Sequence, residues 1–143
     1  MKENMMKLEF MAKSENEAFA RSAVAAFVMG LDPTVEEMAD IKTSVSEAVT
    51  NSIVHGYEGG EGRVYIECVI SGKDIKIIVK DNGKGIKNVK EAMQPMFTTN
   101  TDNERSGMGF TVMQTFMDKV KVESILDVGT KVTMSKSIGA QTL

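Results

Sequence analysis

The sequence predicts an α/β protein built as a two-layer sandwich, a mixed, mostly antiparallel sheet with helices on one face. Three observations predict it. Short segments alternate apolar and polar residues in pairs separated by turn residues, as in Val64, Ile66, Cys68, Ile70 and then Ile75, Ile77, Val79. Two long segments repeat apolar residues at helical spacing, each behind a capping-box signature. The order of these segments joins neighbouring strands by hairpins, which imposes antiparallel pairing.

Lys7 to Ala12 alternates and is expected as the first strand. Ser14 and Glu17 have the N-cap and N3 spacing of a capping box, so a helix follows with Phe19, Ala20, Ala23, Val24, Phe27 and Val28 on its apolar stripe, ending near Gly30. Asp32-Pro33-Thr34 breaks the chain, and Thr34 with Glu37 opens a second helix expected to run to about His55. Its core stripe is Met38, Ile41, Val45, Ala48 and Val49; Asp40, Ser44, Glu47, Asn51 and His55 fall on another. Gly56 to Gly62 is a loop, and Ser71-Gly72-Lys73-Asp74 turns the hairpin between the next two strands. Val89 to Met93 is a short helix, Gln94 to Gly107 a polar segment without periodicity, and Gly109 to Met117 a further helix. Val120 and Val122, then Val132 and Met134, close the sheet as a hairpin around Asp127-Val128-Gly129, with a frayed tail from about residue 136 to 143.

With 143 residues, the chain is expected to be a single domain that buries roughly 70% of its unfolded surface without disulfides. A net charge of −3 and scattered lysines argue against a nucleic-acid or membrane partner held by charge. No apolar run approaches a membrane span, and the first residues lack a signal-peptide core, so a cytoplasmic protein is expected. The single cysteine, Cys68, sits in a strand pattern as a small core residue. Twelve methionines are adaptable core packing or a methionine-lined contact surface.

Two stretches carry chemistry. Glu47 and Asn51 lie one helical turn apart, placing a carboxylate beside an amide, which suits a base next to a hard metal ion. Asp81-Asn82-Gly83-Lys84-Gly85-Ile86 ends an apolar strand. Taken alone it is equally a hairpin turn or a site in which Asp81 accepts the exocyclic amine of adenine and the glycines admit base and phosphates. Gly107-Met108-Gly109 opens a helix after the polar segment; helix-entry glycines are common, and amides at a helix start also hold phosphates. Arg105 and Ser106 stand just before it. Neither G-x-x-x-x-G-K-[ST] nor G-x-G-x-x-G occurs, excluding a Walker loop and a dinucleotide fingerprint. His55 is the only histidine, so a zinc site is not expected, and a helix-end or packing role suits it.

Taken in order, Glu47…Asn51, Asp81-x-Gly83-x-Gly85, Gly107-Met108-Gly109 and Gly129-Thr130 resemble the N, G1, G2 and G3 boxes of the GHKL ATPase superfamily, whose ATP-binding domain has the Bergerat fold. The early first strand and the lack of length for further domains set the chain apart from histidine kinases, gyrases and Hsp90-like proteins. Ser46-Glu47-Ala48-Val49-Thr50-Asn51, Pro95-Met96-Phe97-Thr98-Thr99 and Glu104-Arg105-Ser106-Gly107-Met108-Gly109-Phe110 are similar to the free-standing bacterial serine kinases that act as anti-sigma factors, the sporulation branch above all. The general-stress branch is the nearest competitor.

The resemblance implies a homodimeric protein-serine kinase using ATP and Mg²⁺. It would retain the sporulation factor sigma F when bound to ATP, favour an anti-anti-sigma partner when bound to ADP, and phosphorylate that partner on a serine. It implies Glu47 as general base, Asn51 as Mg²⁺ ligand and Asp81 as the adenine reader. Gly83, Gly85 and Ile86 would shape the base pocket, and residues 94–107 would form an ATP lid. Thr98, Thr99, Arg105, Ser106, Gly107, Met108 and Gly109 would face the phosphates, and Thr130 the adenine end. A module that uses ATP only to shape a sigma-binding surface, without transfer, is the alternative of a different class.

Overall fold

The computed structural model describes residues 3–94 and 101–139, and of residues 101–108 the backbone alone. The described chain runs β1 (Glu3–Met11), α1 (Glu15–Val28), α2 (Val35–Thr50), β2 (Arg63–Ser71), β3 (Asp74–Asp81), α3 (Val89–Ala92), α4 (Thr101–Phe116), β4 (Lys119–Ile125) and β5 (Gly129–Ser137). A 3₁₀ turn, Met29–Leu31, follows α1, and a π turn, Asn51–Gly56, continues α2.

The five strands form one sheet in the order β1-β2-β3-β5-β4, and every pairing is antiparallel. The expected mixture of directions does not arise because β5 lies between β3 and β4, which run the same way but never touch. Alternation decides which face is covered. Phe10, Val64, Ile66, Cys68, Ile77, Val79, Val132 and Met134 are buried on the helix side. Their neighbours Lys7, Glu9, Lys76, Lys80, Lys121 and Lys131 are exposed on the other. Burial pushes the Cys68 thiol up to about 12, so it stays protonated and packs as a small apolar group.

α2 is the middle helix, packed on α1 and on α4. Ile41, Val45, Ala48 and Val49 are essentially inaccessible. Its start is fixed as the sequence predicts: Thr34 Oγ accepts from the Glu37 N–H at 3.0 Å, and Glu37 accepts from the Thr34 N–H at 2.9 Å. Ser44, expected on the polar stripe, is fully buried, and its Oγ has no hydrogen-bond partner among the described residues.

Four expectations are corrected. Ser14 makes no side-chain cap, because its backbone is already helical (φ −54°, ψ −37°) and cannot present its hydroxyl to the first turn. Glu17 turns instead to Arg21, at 3.4 Å, and to α2, accepting from Ser46 Oγ at 2.5 Å. Phe19 is 54% exposed and does not join the core. α4 begins at Thr101 rather than Gly109, so Gly107, Met108 and Gly109 lie inside a helix. The lid expected over residues 94–107 is therefore helical from Thr101, and residues 95–100 lie outside the described part.

The tail is not frayed through Gly139. β5 continues to Ser137, Ile138 is buried and donates its N–H to Lys73 O at 2.8 Å, and the Gly139 N–H reaches Glu37 Oε2 at 2.8 Å. Residues 140–143 lie outside the described part.

Glu37 thus closes the start of α2 and receives the end of the sheet. The backbone N–H groups of Thr34 and then Gly139 hold its carboxyl below the ordinary 4.5. A depressed folded-state value adds stability above the ordinary one, which is lost as pH falls through the depressed one. Thr34→Ala is expected to lower unfolding free energy by about 1 kcal/mol in urea at neutral pH. The stability gap between wild type and Glu37→Gln is expected to shrink as the urea titration is repeated at pH values falling below 4.5.

Candidate functional site

The end of α2, the end of β3 and the β4–β5 turn meet around a cleft of about 360 Å³, within the range of small-ligand sites. Ala48, Phe110 and Val132 give it an apolar floor, and Asp81 is the acid in its wall.

Asp81 is the last residue of β3 and only 3% exposed. Its Oδ1 accepts from the Gly83 N–H at 2.9 Å. No hairpin forms at Asn82-Gly83. The chain leaves the sheet there and runs to α3, because β3 already has β2 on one side and β5 on the other. A buried carboxylate that accepts from backbone and lines an apolar cleft suits a flat ligand bearing an N–H donor.

The opposite wall is braced by one hydroxyl. Ser124 Oγ accepts from the Ile86 N–H at 2.7 Å, donates to Gly129 O at 3.0 Å, and lies 2.8 Å from Thr130 Oγ1. Gly85 has φ 75°, and a Cβ there would stand 2.3 Å from Ile125 O. The strand-end loop and the β4–β5 turn therefore touch backbone to backbone, which only glycine permits at this position.

Glu47 and Asn51 come together as their spacing predicts. A Cβ on Gly109 of α4 would sit 3.1 Å from Glu47 Oε2, 3.1 Å from Asn51 Nδ2 and 3.3 Å from Asn51 Oδ1. Carboxylate and amide thus face one point, roofed by α4. Asn51 Nδ2 is buried and has no hydrogen-bond partner among the described residues, a cost of about 1–3 kcal/mol that an oxygen-rich ligand would relieve.

Of the residues singled out from sequence, Asn51, Asp81, Gly85, Ile86 and Thr130 line the cleft. Gly83 packs behind it on Gly56, and Glu47 stands with Asn51 beneath Gly109. Thr98 and Thr99 lie outside the described residues, as do the side chains of Arg105, Ser106 and Met108; Gly107 is placed only as α4 backbone. Sequence reasoning missed Lys84, Lys87, Phe110 and Leu126, which line the cleft, and Ser124, which braces it. His55, expected in a helix-end or packing role, also lines it. Lys84 lies within a recognisable motif and Lys87 follows it, so both were legible as loop charges; Ser124 carries no signal, being a lone serine in a short strand.

A family model described as the histidine kinase-like ATPase domain matches residues 10–136. The anti-sigma F factor of Thermoanaerobacter sp. (strain X514) is 61% identical over 137 residues, covering 96% of each chain. That of Clostridium novyi (strain NT) is 60% identical over 139 residues, 96% of this chain and 97% of the relative. That of Clostridium kluyveri (strain ATCC 8527 / DSM 555 / NBRC 12016 / NCIMB 10680 / K1) is 59% identical over 136 residues, 95% and 96% respectively. Identity of this order across nearly the whole length places the chain in the anti-sigma F factor family, with a histidine kinase-like ATPase domain over residues 10–136.

Proposed function

We propose that the protein is a homodimeric, cytoplasmic anti-sigma factor that binds sigma F and, with ATP and Mg²⁺, phosphorylates an anti-anti-sigma protein on serine. The observation that supports this reading is one cleft lined by a buried acid, Asp81, and by Asn51, which faces a common point with the Glu47 carboxylate. Among the described residues no helix is long and apolar enough to cross a membrane. Exposed Met5 and Met11 on the edge strand, and Phe19 on α1, offer apolar area for subunit association.

The residues present fit a magnesium nucleotide. Among the described residues no cluster of three or more acidic, histidine or cysteine side chains could hold a metal alone. Mg²⁺ needs no such cage, since phosphates and water complete its shell. Asn51, whose amide oxygen faces the same point beside Gly109 as the Glu47 carboxylate, would hold it through that oxygen, and the ion would neutralise charge developing on the phosphoryl oxygens. Asp81 fixes the base by accepting its exocyclic amine, and Ile86 and Thr130 hold the ends of the cleft. Glu47 accepts the proton of the substrate serine as its oxygen bonds to the γ-phosphorus. The bond from that phosphorus to the β–γ bridging oxygen breaks, and ADP leaves. Thr98, Thr99, Arg105 and Ser106 face the phosphates in this reading. The amides of Gly107, Met108 and Gly109 reach them once the first turns of α4 unwind, because helical amides are already engaged.

Incubation with γ-labelled ATP and anti-anti-sigma proteins tests the reading: label on serine is expected, and its absence with sigma F still retained would leave a non-catalytic, ATP-gated binder. Transfer to a general-stress substrate in preference to a sporulation one would assign the competing branch.

Glu47→Ala is expected to keep nucleotide affinity and slow transfer by roughly 10²–10⁴-fold; wild-type turnover would remove Glu47 from its role. Asp81→Asn is expected to weaken ATP and ADP alike in calorimetric titration, because both share the base. Gly109→Ala places a methyl group against Glu47 and Asn51, and is expected to reduce transfer at least tenfold with the fold intact by circular dichroism.

A further inference from the structure

The segment that follows Asp81 is held by the turn that follows α2. Three consecutive N–H groups are engaged there. Asn82 donates to Tyr57 Oη at 2.7 Å, Gly83 to Asp81 Oδ1 at 2.9 Å, and Lys84 to Gly56 O at 2.9 Å. The Tyr57 hydroxyl passes its own proton on, donating to Arg63 O at 2.5 Å, at the start of β2. Its ring fills the space above Gly62, where a Cβ would stand 2.3 Å away.

Gly56 is the other half of the arrangement. A Cβ there would meet Asp81 Oδ2 at 3.0 Å and Oδ1 at 3.1 Å; one on Gly83 would stand 2.2 Å from Gly56 O. The π turn delivers Gly56 to this position: the Tyr57 N–H reaches Ser52 O at 2.9 Å, an i to i+5 bond that widens the helix just before the contact. Both oxygens of Asp81 thus lie against bare Cα, with backbone rather than solvent behind the carboxylate.

We infer that Tyr57 and Gly56 are positioning residues for base recognition: they aim the Asp81 carboxylate, and so set the preference for a base that offers an amine. Neither touches the ligand through its own side chain in this role; Tyr57 acts through Asn82 and Gly56 through the space it leaves. The inference rests on the nucleotide reading above. It goes beyond it in naming what determines base selectivity, since a carboxylate free to rotate would also accept from water or swing away from the base.

The test compares ADP with IDP, whose base carries a carbonyl where adenine carries the amine, by calorimetric titration of the full chain. Tyr57→Phe keeps the ring and removes only the hydroxyl. It is expected to weaken ADP about 3- to 10-fold, the effect of one hydrogen bond, with IDP changed less than about twofold. Gly56→Ala is expected to weaken ADP about tenfold or more while resisting urea as well as wild type, because alanine favours helical backbone over glycine. An ADP-to-IDP ratio unchanged in both variants would overturn the inference, as would equal losses for the two nucleotides. Failure of wild type to bind ADP would instead overturn the nucleotide reading. Amide exchange then decides on the contact itself: in nucleotide-free protein the Asn82 amide is expected to exchange faster in Tyr57→Phe than in wild type, and equal rates would show that the hydroxyl holds nothing.

Discussion

Everything at the site hangs on how α2 is gripped. Ile41, Val45, Ala48 and Val49 sink one side of the helix into the core, each larger side chain contributing about 1.5–3 kcal/mol of apolar burial. The first turn is locked by the Thr34–Glu37 box and the last leans through Gly56 on the end of β3. A helix fixed at both ends and along one side has no freedom left to rotate. Glu47, on its remaining edge, and Asn51, at the start of the π turn that continues it, are therefore carried by an element placed to within the tolerance of core packing.

Much of this was legible in the chain. The five strands, the two-residue turn at Gly72-Lys73, the Thr34 cap and the pairing of Glu47 with Asn51 all follow from local periodicity and turn chemistry, which the fold leaves undisturbed. The failures share a cause. Ser14 has the residue type of a cap but not the backbone, and the conformation of that turn is set by the exit from β1, where the Lys13 N–H and the Asn16 side chain both bond Met11 O. Ile138 looks like tail until the turn between β2 and β3 bonds its N–H through Lys73 O and the fold buries it. Ser124 acquires meaning only because β4 and the loop after β3, far apart in sequence, are folded against each other. Order along the chain announced the motifs; what braces them is tertiary and had no local signature.

The glycines show the same division. Those of the strand-end loop are visible in sequence as a motif, yet their reasons differ in space. Gly85 makes room for the β4–β5 turn, Gly83 for the end of the π turn, and Gly109 for the carboxylate–amide pair. Each marks a place where two backbones, or a backbone and a functional group, approach too closely for a side chain. Gly85 lines the cleft itself, while Gly83 and Gly109 set the close approaches behind and above it.

The register of the sheet also fixes what lies at each of its two poles. Glu3 pairs with Ser71 and Ser137 with Asp74, so both ends of the described chain lie beside the Gly72-Lys73 turn, while Asp81 and Gly129 lie at the other end of the strands. An insertion in the exposed Gly72-Lys73 turn would therefore be carried at the pole of the sheet remote from the cleft and would leave the site undisturbed.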